Sequence, residues 1–79
     1  MHEIHAVKNI ISLINQKAKE NNLTKISKVN IVLGKLSGIT KDDFSYWFNE
    51  LSKNTIAHVV KLEFKESLDP NVFIESIEA

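Results

Sequence analysis

The spacing of apolar residues changes near residue 25 from a helical period to a strand period, and this change restricts the folds open to the chain. Between Ile4 and Ala18 apolar residues recur every three or four positions, whereas between Ile26 and Gly34 they largely alternate with polar ones. The first spacing gives a helix one apolar face, and the second gives a strand one buried face. We therefore expect an amphipathic helix over residues 3–21, followed by a strand over residues 26–34.

The second half of the chain carries one more helical pattern and two more strand patterns. Thr40 is placed to cap a helix whose aromatic residues, spaced three and four apart, continue until about Ser52. Residues 55–65 are β-branched and then alternating, which predicts a second strand. Residues 72–78 predict a third strand, in which Ile74 and Ile77 have opposite parity. Either one of them faces away from the core or a bulge interrupts this strand.

The resulting order is α-β-α-β-β, which indicates an α+β fold. A strand–helix–strand connection favours a parallel pair, and the short polar segment before Val72 predicts that the last two strands form an antiparallel hairpin. We expect a mixed three-stranded sheet with two helices packed on one face. At 79 residues the chain is predicted to form a single domain, 1–79.

Composition excludes several classes of function. The ten basic residues are all lysines and are balanced by ten acidic residues, which disfavours nucleic-acid binding. No apolar run is long enough for a membrane helix and no signal-peptide pattern is visible, so a cytoplasmic location is expected. The chain has no cysteine, so any metal site must use nitrogen and oxygen ligands. No nucleophilic triad or phosphate-binding loop is present, and we expect that the protein is not an enzyme.

The amino-terminal sequence Met1-His2-Glu3 is the strongest candidate for chemistry. If Met1 keeps a free amine, this amine, the deprotonated amide of residue 2 and the His2 imidazole form a planar set of three nitrogens. Such a set suits nickel(II) or copper(II) better than zinc. Glu3 or His5 could supply a fourth ligand. The alternative is that two histidines near a chain end carry no function, because termini tolerate most sequences.

Two further histidines have simpler interpretations. His5 is at best an auxiliary ligand, and otherwise a solvated residue one turn into the helix. His58 is predicted at the start of the second strand, as a partly covered residue at the edge of the core.

Several segments in a fixed order make the chain resemble one family. They are MHE before an amphipathic helix, VNIVLGKLSGI, the aromatic stripe of the second helix, TIA, KLEF and FIESIEA. Together they resemble the HypA family, the nickel metallochaperones that act in the maturation of [NiFe]-hydrogenases. The resemblance implies a nickel-binding domain of two helices and three strands, with a zinc domain inserted between the last two strands. Here a short turn at 67–71 replaces that insertion, so no zinc site is expected.

The resemblance also implies ligands and partners. Nickel(II), bound transiently, would be held by the Met1 amine, His2 with its backbone amide, and Glu3. Some members add an acidic residue at the start of the second helix, where this chain has Thr40. The implied partners are the [NiFe]-hydrogenase large subunit precursor and a HypB-type GTPase. An alternative function is an adaptor that keeps the scaffold and docks on the maturation machinery without delivering metal.

Overall fold

A computed structural model describes residues 2–58 and 60–79, apart from the side chain of His2. The helices are α1 (His2–Glu20) and α2 (Lys41–Leu51), and the strands are β1 (Lys28–Gly34), β2 (Lys61–Ser67) and β3 (Val72–Glu78). A short 3-10 turn, Lys35–Ser37, follows β1. The predicted α-β-α-β-β order and the α+β class are confirmed. Within the described residues, neither helix has the length and apolar character needed to cross a membrane.

Local hydrogen bonds explain where the helices begin and end. Asn22 adopts a left-handed backbone with φ 54°, and the Leu23 N–H donates to the Ala18 carbonyl at 2.8 Å. This is a common way to end a helix and satisfies one of its last carbonyls. Thr40 caps α2 as predicted, because its Oγ1 accepts a hydrogen bond from the Asp43 N–H at 3.1 Å.

The sheet has the order β2-β1-β3, with β1 parallel to β2 and antiparallel to β3. The parallel β1–β2 pair agrees with the prediction, but the predicted hairpin of the last two strands is wrong. β2 and β3 lie on opposite sides of β1 and are not paired with each other. The short link misled the prediction because four residues are enough to cross two strand spacings of about 10 Å in total.

The link Leu68–Asn71, which we call the crossover, passes over the carboxyl end of β1. The Gly34 N–H donates to the Asn71 carbonyl at 2.9 Å, and the Leu36 N–H donates to the Asp69 carbonyl at 3.3 Å. A Cβ atom on Gly34 would overlap the carbonyl oxygens of Asp69 and Asn71. A glycine at the end of β1 therefore allows the crossover to lie directly on the sheet.

The second strand begins later than the sequence indicated. Residues 55–58 form successive turns, and β2 starts at Lys61 rather than Thr55. Thr55 Oγ1 donates to the Ser52 carbonyl at 2.7 Å and accepts from the Ala57 N–H at 3.2 Å. These local bonds compete with a strand ladder, so a β-branched residue here supports a turn.

A bulge resolves the parity problem in β3. Asn30 pairs with Ser76 and Ile31 with Ile74, so Glu75 is an extra residue in the ladder. Ile74 and Ile77 consequently both pack against the core. Of the two alternatives open at the level of sequence, the bulge is the one observed.

One core lies between the helices and the sheet. Its largest fully buried apolar side chains come from α1, from β1 and the residue two before it, and from α2: Val7, Ile14, Ile26, Val29, Ile31 and Phe44. Phe44 stacks on Phe48 and meets the edge of Phe64 from β2, with ring centroids 6.0 and 5.6 Å away. The predicted aromatic stripe is thus part of the scaffold, and both helices cover the same face of β1.

Candidate metal centre

The predicted metal ligands fall on the first turn of α1. This helix begins at His2, Glu3 is half-buried, and His5 is exposed. Met1 and the side chain of His2, two of the predicted ligands, lie outside the described residues. The described part of the predicted site is therefore Glu3 and the backbone of the first helical turn, without the imidazole of His2 or the amine of Met1.

The backbone at this point has free hydrogen-bonding capacity. The N–H groups of the first turn of an α-helix have no acceptor within the helix. Since α1 begins at His2, the amide of residue 2 can lose its proton without breaking a helical hydrogen bond. The positive end of the helix dipole also stabilises a nearby negative charge. A deprotonated amide is thus less unfavourable here than within a helix.

The amino-terminal half of α1 lies at the crossover end of the molecule. Ala6 and Asn9 line a groove of about 430 Å³ together with Ile39, Asn71 and the turn after β1. Ile39 directly precedes the Thr40 cap of α2. The structure therefore brings the start of both helices and the crossover to one end, although they are far apart in sequence.

The acidic residues at this end do not form a metal centre by themselves. Asp42 and Asp43 are exposed in the first turn of α2, where their charge complements the helix dipole. Among the described residues, no three His, Cys, Asp or Glu side chains lie close enough together to hold a metal ion. Thr40, the position at which the family resemblance implied an acidic residue in some members, acts as the helix cap.

His58 has a structural environment rather than a metal-binding one. It lies in the turns before β2, not in a strand as predicted, and it is half-buried. Its Nδ1 is 3.4 Å from Oγ of Ser52, a buried residue at the end of α2. The partly covered position predicted for His58 is confirmed.

Two concave surfaces were not found from the sequence. One, of about 610 Å³, lies at the carboxyl ends of β1 and β2 and is bordered by Lys35 and Lys41, with Lys41 Nζ 5.8 Å from the Phe64 ring centroid. The other is a groove along α1 and β3 that includes Leu13 and Phe73. Exposed apolar residues such as these look like core residues in a periodic pattern, so only the fold reveals the groove.

Curated relatives share the sequence over four fifths of this chain. The chain is 31% identical over 65 residues to hydrogenase maturation factor HypA of Caldanaerobacter subterraneus subsp. tengcongensis, an alignment that covers 82% of this chain and 57% of the relative. It is 38% identical over 63 residues to the HypA of Francisella philomiragia subsp. philomiragia, covering 80% and 55%. The chain thus spans about half the length of the curated relatives it matches.

Solved structures share the fold. A solution structure of the Ni metallochaperone HypA from Helicobacter pylori superposes with a TM-score of 0.84 at 18% identity, covering 99% of this chain and 97% of that one. A second HypA solution structure gives 0.80 at 19% identity, covering 99% and 95%. The family model described as "Hydrogenase/urease nickel incorporation, metallochaperone, hypA" matches residues 1–70. The chain therefore belongs to the HypA family.

Proposed function

We propose that this protein is a nickel metallochaperone that binds nickel(II) through the Met1 amine, the amide and imidazole of His2, and Glu3. The observation that carries the proposal is the family match, which begins at residue 1 and so includes the MHE opening. Nickel is the cargo, and three nitrogens in one plane suit the square-planar geometry that nickel(II) accepts. His5 is an auxiliary ligand at most.

The anchoring of α1 supports this proposal. Val7 and Ile14 are fully buried and Ile10 nearly so, which fixes the helix on the sheet. Residues 2 and 3 extend this helix by its first turn, and the free backbone amides there are available for deprotonation. A helix anchored in this way holds a chelate at its amino-terminal end in a fixed position relative to the sheet.

The proposed recipient is the large subunit precursor of a [NiFe]-hydrogenase, with a HypB-type GTPase as helper. The family description and the names of the curated relatives, which are hydrogenase maturation factors, support these partners. This activity is transfer of an ion rather than catalysis, and its natural location is the cytoplasm, where precursor subunits are made.

The crossover is the proposed position of the family's zinc domain. The sequence match to the family ends at residue 70, within the crossover, whereas the structural likeness covers 99% of the chain and so includes β3. We propose that the nickel-binding part of the fold is formed by residues 1–79 and that the short turn at 67–71 stands in place of the insertion. The absence of cysteine in this sequence agrees with a chain that binds no zinc.

Nickel titration of matched variants tests the proposal. The untagged protein, with Met1 shown to be present by mass spectrometry, is compared with His2→Ala and with His5→Ala as the control by isothermal titration calorimetry. Loss of His2 should weaken binding by more than the roughly 10–100-fold expected for loss of an outer-shell partner. His5→Ala should change affinity much less. Equal binding by all three proteins would contradict the amino-terminal site. It would favour the alternative function, an adaptor that docks on the maturation machinery without delivering metal.

A further inference from the structure

We draw no further inference here: the strongest candidate, the largely apolar groove along α1 and β3 that is bordered by Leu13 and Ile77, carries none because nothing in the structure shows what covers it.

Discussion

At the scale of single residues, Gly34 determines whether the crossover can lie on the sheet. Its backbone is extended, with φ −71° and ψ 127°, so the position requires glycine for space rather than for conformation. The carbonyl oxygens of Asp69 and Asn71 occupy the place where a side chain would begin. Gly38 is the opposite case, because its φ is 76° but nothing lies within 4 Å of an added Cβ.

Replacement of Gly34 should therefore be costly. We expect Gly34→Ala to lower the free energy of unfolding by about 2–3 kcal/mol, since the backbone of the crossover must move away. The measurement is urea unfolding followed by circular dichroism. Gly38→Asn is the control and should cost less, because asparagine tolerates the left-handed backbone. Equal stability of Gly34→Ala and the parent protein would show that the crossover does not rest on β1.

A charged network on the open face of the sheet gives stability a pH dependence. Lys28 contacts Glu63 at 3.4 Å and Glu78 at 3.5 Å. The hydrogen bond from the Asn30 side chain, assisted by the charge of Lys28, lowers the pKa of Glu78 below its usual 4.5. The hydrogen bond and charge of Glu63, with a further contribution from Glu78, raise the pKa of Lys28 above 10.5.

The signs of these shifts define two pH windows. The lowered pKa of Glu78 stabilises the fold above pH 4.5, and this contribution is lost as pH falls below that value. The raised pKa of Lys28 contributes below pH 10.5 and is lost at higher pH. Glu78→Gln should therefore make the free energy of unfolding less sensitive to acid below pH 4.5. Glu66→Gln on β2 is the control, and an equal effect of both changes would contradict a specific role for Glu78.

At the scale of elements, the bulge in β3 explains how two isoleucines with an odd spacing can both face the core. Glu75 is the extra residue, and its presence lets Ile74 and Ile77 face the same core despite their odd spacing. Without Glu75 the strand would alternate regularly, with Ile74 inward, Ser76 outward and Ile77 inward. The sequence pattern could identify the conflict between the isoleucines, but the register that resolves it depends on β1.

Deletion of the bulge residue should therefore be tolerated. Removal of Glu75 should change the free energy of unfolding by no more than about 1 kcal/mol, chiefly through the exposed ion pair with Lys65. Deletion of Phe73 is the control, because it reverses the parity of the strand around Ile74 and should destabilise the fold strongly. Thermal unfolding compares the two. A greater loss from the Glu75 deletion than from the Phe73 deletion would disprove the assigned register.

At the scale of the whole molecule, apolar periodicity predicted all five helices and strands but not the arrangement of the sheet. Periodicity depends on neighbours in sequence, whereas the place of β3 beside β1 depends on contacts about 45 residues apart. The crossover length is compatible with either arrangement. For the same reason, Met1, His2 and Glu3 could be proposed as ligands from their order alone, but the groove between α1 and β3 could not be anticipated.

The measurement that tests the central claim most directly is nickel titration of a variant with three glycines added before Met1. Three are needed because a single added residue would let the new amine, two amides and the imidazole of His2 still chelate nickel(II) in one plane. The addition leaves all 79 side chains unchanged but separates the free amine from the amide and imidazole of His2. Nickel binding at the amino terminus predicts that this variant loses tight binding while its thermal unfolding matches that of the parent protein. Nickel affinity equal to that of the parent would contradict the account.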